Sequence, residues 1–388
     1  MSPSRPKRKT ETGIAWAALD VMIALLLAAG AGCGGGPGSA TRPLVQATTH
    51  SSAIRDLKEL AGNTVAIAGA GDVNLGDGVA PYLASDGDDY PWPDASEVFS
   101  IADLSVVNLE CCISNGGSPV AGKEYTFRGT PQAAAGIAGA GVSVVSLANN
   151  HSKDYGTSAF LDTLANLKKA GVSWCGAGNN AAEAYAPTVL RAKDKQARVA
   201  FVGFTAIVPD GWPATSTDPG CAIAWDGDRV ADTVRKASES ADYVVVSFHW
   251  GTELATSPGG DQRSLAHLAI DNGADLVLGH HPHVVQGFEL YKNRLIAYSL
   301  GNFIFSPPRE ISAKTVSVIA VLGPGGLVQA KVVPMVISSC RPAIIDGTAA
   351  ESWLGAVRSY SSDLGTQMAI RSGRGFIDGA PRASTAAE

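Results

Sequence analysis

The sequence predicts an α/β fold in which two packed mixed sheets are flanked by helices. Three observations carry that expectation. Runs rich in Val, Ile and Ala recur without alternation of apolar and polar residues, as strands buried on both faces do. Helical patterns lie between several of these runs, which implies parallel pairing. Late in the chain the pattern changes to two apolar runs around a Gly-Pro-Gly-Gly turn, which reads as an antiparallel hairpin.

The strand-like runs are Val65–Gly71, Leu104–Leu109, Val142–Leu147, Val172–Cys175, Arg198–Thr205, Tyr243–Phe248, Leu276–Leu278 and Leu295–Leu300. A helix is expected over Pro131–Ala140, where Pro suits a first turn. A second is expected over Thr157–Ala170, with Phe160, Leu161, Leu164 and Leu167 on one face and Gly171 as its stop. Asp228–Ser240 and Gln262–Asn272 repeat that pattern. The hairpin pairs Thr315–Leu322 with Leu327–Ile337. A helix-like stretch, Ala350–Met368, opens a tail from about Asp346 whose Gly/Arg/Ser/Ala-rich end is expected to be disordered. The main domain is therefore placed at residues 61–345 and the tail at 346–388.

A chain of 388 residues with 45% apolar content builds a full core. A net charge of −6 argues against general nucleic-acid binding, which needs a basic excess. Residues 1–33 read as an export signal: Arg5, Lys7, Arg8 and Lys9 precede an apolar run from Ile14 to Ala31. Gly30-Ala-Gly-Cys33 resembles a bacterial lipobox, so Cys33 is expected to carry lipid. Residues 34–60 read as a flexible linker off the membrane. The remaining cysteines, Cys111, Cys112, Cys175, Cys221 and Cys340, form no C-x-x-C pair and read as buried small apolar residues.

The polar residues that end the apolar runs carry the chemistry. Five of seven histidines fall in Leu147-Ala-Asn-Asn-His151, Ser247-Phe-His249-Trp-Gly251 and Gly279-His-His-Pro-His283. Gly71-Asp72 and Asn108-Leu-Glu110 end two earlier runs. In an open α/β sheet, ligands bind beyond the carboxyl ends of strands. Imidazole, carboxylate and amide oxygen together suit a divalent transition metal such as Mn, Zn or Fe. Each residue also has a plainer reading. Asp72 suits a turn or a helix cap, Glu110 a buried ion pair, Asn150-His151 a cap and His249 a satisfied core histidine. His281 and His283, spaced by one, point to the same side of an extended segment and are the hardest to read as structural. Arg128 can clamp a phosphate or carboxylate with its planar fork, or lie at the rim of the core. Asn302 can bond a ligand or brace a strand end.

The ordered set Gly71-Asp72, Asn108-Leu-Glu110, Ala148-Asn-Asn-His-Ser-Lys-Asp-Tyr-Gly156, His249-Trp-Gly251, Gly279-His-His-Pro-His283 and Ser299-Leu-Gly-Asn-Phe303 resembles the CapA (PgsA-like) family of capsule and poly-γ-glutamate synthesis proteins. That family resembles a branch of the calcineurin-like metallophosphoesterases. The resemblance implies a four-layer α/β/β/α sandwich and one or two divalent metals. It implies Asp72, Glu110, Asn150, His249, His281 and His283 as metal ligands, with Glu110 at the bridging position and His151 as the catalytic histidine. Two departures stand out. The usual Asp-x-His is here Asp72-Val-Asn74, and the bridging residue is Glu rather than the shorter Asp. Two functions are expected from this. One is a metal-dependent hydrolase acting on an anionic envelope polymer or a phosphoester. The other is a non-catalytic subunit that binds or tethers the polymer beside a synthase complex.

Overall fold

The computed structural model describes residues 64–380. The expected signal, linker and Cys33 lie outside those residues.

Ten strands form the first sheet. Its parallel part is β1 (Val65–Val73), β2 (Leu104–Leu109), β3 (Val144–Ser146) and β4 (Ser173–Cys175). The second sheet has six strands. They are β5 (Thr188–Arg191), β6 (Arg198–Thr205), β7 (Tyr243–His249), β8 (Leu276–His280), β9 (Phe288–Tyr291) and β10 (Arg294–Ala297). In that sheet β6, β7, β8 and β10 run parallel, while β5 and β9 are antiparallel edges. The chain then returns to the first sheet. There β11 (Asn302–Ile304) runs parallel to the end of β1. The predicted hairpin is β12 (Lys314–Gly323) and β13 (Gly326–Ser338), with β12 antiparallel to β1.

Alternate residues of single strands show why these runs lack polar positions. In β1, Val65 and Ile67 face the second sheet, together with Val106, Val199, Phe201, Val245 and Leu278. Ala66 and Ala68 face outward, into a core shared with Ala133, Ile137, Phe160, Leu164 and Leu167 of α1 (Ala133–Gly139) and α2 (Gly156–Ala170). In the second sheet Val244, Val246 and Phe248 pack against α3 (Gly227–Ser240) and α4 (Gly260–Asp271) through Val230, Val234, Ala266 and Ala269. Both faces of both sheets are covered, which is the four-layer α/β/β/α arrangement.

The tail departs from expectation. The helix ends earlier than predicted, as α5 (Gly347–Ser362), and residues expected to be disordered form two further strands. These are β14 (Ala369–Arg371) and β15 (Arg374–Asp378), and β15 pairs antiparallel with β13. The ordered domain thus runs past residue 345 to at least Asp378. The cause is burial: Trp353, Leu354, Val357 and Ile377 join the core between the sheets, where a window of Gly, Arg and Ser composition shows no apolar run. Two short helices, Ala80–Asp86 and Pro93–Phe99, were also not legible.

Candidate metal centre

The parallel strands of both sheets end at one place. Asp72 is level with Asn108 and Asn302, Asn108 with Ser146, and His249 with His280. Two glycines let the strand ends close up. A Cβ on Gly71 would meet the Gly301 carbonyl oxygen at 1.9 Å, and one on Gly279 would meet the Tyr298 oxygen at 2.0 Å.

Asp72, Glu110 and His249 form one buried ligand group, and Glu110, His281 and His283 form another. Glu110 belongs to both. Its Oε1 lies 3.7 Å from His283 Nε2, 3.9 Å from His249 Nε2 and 3.8 Å from His151 Nε2. Metal bonds to N and O are roughly 2.0–2.2 Å, so two ligands on one ion stand up to about 4 Å apart. All are too long for hydrogen bonds, and those to His249 and His283, the two that belong to the ligand groups, are right for a shared cation. The polar inventory agrees. Glu110 Oε1 and His281 Nδ1 are buried with no hydrogen-bond partner, as is His280 Nε2, while His280 Nδ1 lies 3.4 Å from Asp72 Oδ1. An orphaned buried carboxylate oxygen is costly unless something positive meets it.

The electrostatics point the same way. Burial pushes the Glu110 carboxyl well above its ordinary range, and Asp72 adds to the push. Burial also pulls His249 well below the usual imidazole range and His281 down to about 3, leaving neutral rings able to ligate. Asp72 moves the other way: burial raises it, but bonds and charge from His280 and His283 outweigh that and hold it well down. For His283, burial lowers the ring, yet Glu110 and Asp72 carry it up to about 10. The two buried carboxylates thus call for a positive partner, a role a bound cation would take over from the His283 proton and so free Nε2 to ligate. The residues present fit a divalent cation.

The other predicted residues fall in and out of this centre. The Asn150 side-chain oxygen lies 2.9 Å from His249 Nε2, so its amide faces the ligands. His151 sits in the turn before α2, nearly buried, with its ring stacked on Phe127 at 4.3 Å. Asn302 is bonded on both sides within the chain, as a brace is. Its oxygen accepts from His283 Nδ1 at 2.9 Å and its nitrogen donates to the Ser312 carbonyl at 3.0 Å. Those bonds turn His283 Nε2 toward Glu110. The Arg128 guanidinium lies 4.1 Å over the Tyr155 ring and donates to the Gly116 carbonyl at 3.1 Å. Asn74, at the position where the resemblance leads one to expect a histidine, accepts the Gly76 amide at 2.8 Å and serves its own loop. His281 and His283 have φ of 95° and 57°, so the pair is held by a strained bend rather than by an extended segment.

Four functional residues escaped the sequence reading in whole or part. Asn108 donates to Asp72 Oδ1 at 2.9 Å and lies 3.4 Å from His249 Nδ1, joining the two sheets. Asn149 donates to Asn108 Oδ1 and the Leu109 carbonyl, and accepts the His151 amide. Asp154 Oδ2 lies 2.6 Å from His151 Nδ1. All three stand inside the motifs quoted above without a role of their own. Lys123, which contacts Asp154, Asn150 and His151, has no motif around it.

Residues 66–307 match the family of the bacterial capsule synthesis protein PGA_cap, which spans most of the domain and all the candidate ligands. The chain belongs to that family. Among its relatives, the capsule biosynthesis protein CapA of Bacillus anthracis is 32% identical over 66% of this chain and 63% of its own length. The PGA biosynthesis protein CapA of Bacillus subtilis is 30% identical over 70% of this chain and 72% of its own. The chain thus spans under two thirds of the B. anthracis protein. Among solved structures, NAD nucleotidase from Haemophilus influenzae aligns with a TM-score of 0.40 at 12% identity, over 76% of this chain and 56% of that one.

Proposed function

We propose that this protein acts in capsule or poly-γ-glutamate synthesis, export or anchoring at the cell envelope, through a metal-dependent hydrolase site of metallophosphoesterase type. The observation that carries this reading is the pair of buried ligand groups sharing Glu110, with His151 Nε2 aimed at the shared oxygen. Asp72, Asn150 and His249 would hold a cation on one side of Glu110, and His281 and His283 on the other. One or two ions of Mn, Zn or Fe would supply Lewis acidity and an activated water there.

The chain's own residues do the rest. Asp154 accepts from His151 Nδ1–H, so Nε2 is the atom at which a proton is held or handed on. Phe127 on one face of the ring and Asp154 at its edge keep the imidazole from rotating. Burial pulls the His151 ring below the ordinary imidazole range, with Asp154 opposing, so Nε2 is free to accept. Asn302 and Asn108 hold His283 and His249 in place. The substrate class is an anionic envelope polymer or a phosphoester. The membrane, through a lipid on Cys33, and a polymer synthase complex are the proposed partners.

The replacement of the usual histidine by Asn74 favours a second reading, a metal-stabilised binding subunit without turnover. Incubating the full chain with Mn²⁺, Zn²⁺ or Fe²⁺ and a panel of phosphoesters and poly-γ-glutamate separates them. Metal-dependent turnover lost in His151→Ala supports the hydrolase. Metal binding with polymer affinity and no turnover supports the accessory subunit.

A further inference from the structure

We propose that Lys123 is the positioning residue that sets His151, an inference that rests on the hydrolase reading above. Lys123 comes from a loop outside every metal-ligand motif, yet its ammonium meets two acceptors of the catalytic turn and lies beside the His151 ring. It pairs with Asp154 Oδ1, donates to the Asn150 carbonyl at 2.5 Å and lies 3.0 Å from His151 Nδ1. The loop is tied to the same turn by Val120 N–H, which donates to the Asp154 carbonyl at 2.8 Å. Above, the Lys123 ammonium lies 5.0 Å from the Trp212 ring.

The division of the Asp154 carboxylate is what gives the contact its meaning. Lys123 occupies Oδ1, so Oδ2 is left to His151 Nδ1 at 2.6 Å and to the Phe127 amide at 2.7 Å. That amide belongs to the residue whose ring stacks on His151. One ammonium therefore fixes the rotamer of Asp154 and, through it, both the tautomer and the tilt of the imidazole. By holding the Asn150 carbonyl it also fixes the peptide that links a metal ligand to the catalytic residue. A surface ion pair would do none of this, but Asp154 is fully buried and Lys123 is only 17% exposed. Asp154 and its neighbours in the turn lie within a recognisable motif; the cation that orders them comes from elsewhere in the chain.

The test uses the full chain with ring-¹⁵N histidine, loaded with Zn²⁺, with the His151 signals assigned by their loss in His151→Ala. Lys123→Met keeps the stem and removes the charge. It is expected to bind as much Zn²⁺ as the wild type, while the two His151 nitrogens move from a single-tautomer pattern toward an averaged one. Turnover of bis(4-nitrophenyl) phosphate falls about 10²-fold, as for a misplaced catalytic group. Lys123→Arg keeps the charge but not the reach of the head group, so its melting temperature stays near wild type while the His151 signals shift. If Lys123→Met alone fails to fold, Lys123→Arg carries both readouts. His151 signals identical to wild type in Lys123→Met, or in Lys123→Arg, overturn the proposal and leave Lys123 a mere counter-charge. A wild type without turnover whose His151 signals still depend on Lys123 keeps the positioning role and removes the hydrolase reading instead.

Discussion

His151 and Asn302 illustrate two ways in which a polar side chain serves a site without being a ligand. His151 turns one nitrogen to Asp154 and the other toward Glu110, so on the proposed reading its loss would remove a proton carrier and leave the ligand groups in place. His151→Ala should keep fold and metal content while turnover falls about 10²–10⁴-fold; metal analysis beside a rate assay checks this, and loss of metal would show the role misassigned. Asn302 acts through His283. Replacing it with Ala frees that ring and leaves the Ser312 carbonyl unpaired. Metal affinity should weaken about 10–100-fold with little change in secondary structure, read by competitive titration with a chelator. Glu110→Gln separates charge from shape. The metal-free variant should melt above metal-free wild type, because a buried carboxylate beside Asp72 is no longer forced to ionise or borrow a proton. The same variant should gain little melting temperature from added metal, and a wild-type response would remove Glu110 from the ligand set.

The elements that position the site are strand ends, and those that support it lie behind them. The tail shows the second role. α5 covers the edge strand β9: Phe288 N–H donates to Ser361 Oγ and Leu290 N–H to Thr366 Oγ1. β15 meanwhile extends the first sheet beyond β13. The tail in this way covers β9, lengthens the first sheet and completes the core between the two. Leu354 is fully buried there, so Leu354→Ala should cost about 2–5 kcal/mol in denaturant unfolding. Ending the chain at residue 345 should give an insoluble or loosely packed protein, visible as early exchange of the β9 amides; a soluble truncation with a wild-type melting curve would show the tail dispensable.

For the whole molecule, the metal and the membrane are the two couplings to test. A cation bound by the folded chain alone stabilises it by mass action, about 2.7 kcal/mol at 100 times Kd. Chelation should therefore lower the melting temperature reversibly, and His281→Ala/His283→Ala should abolish the response. The membrane tether rests on the basic start, the apolar run and Gly30-Ala-Gly-Cys33. Labelled palmitate should enter the wild type and not Cys33→Ser; an unlabelled wild type would end the lipoprotein proposal. Among the described residues no helix is long and apolar enough to cross a membrane.

Local physics made much of this legible beforehand. A strand buried on both faces has no room for polar residues, so β1, β2, β6, β7 and β8 announced themselves as apolar runs. The polar residue that closes each run then marked the rim where the candidate ligands gather. Asp72, Glu110, Asn150, His151, His249, His281 and His283 were visible for that reason. Contacts between segments distant in the chain leave no such mark. Nothing near Lys123 signals that its ammonium will meet Asp154, thirty-one residues on. Arg128 and Asn302 carry side chains suited to a substrate, yet one is taken up by Tyr155 and the other by His283 and Ser312. The strands of the tail exist because β13 offers them an edge, and their own composition does not demand them. Periodicity and residue type follow from the chain's covalent order. Partners, rotamers and edges are chosen only when the two sheets close on each other and burial leaves each polar group a single place to bond.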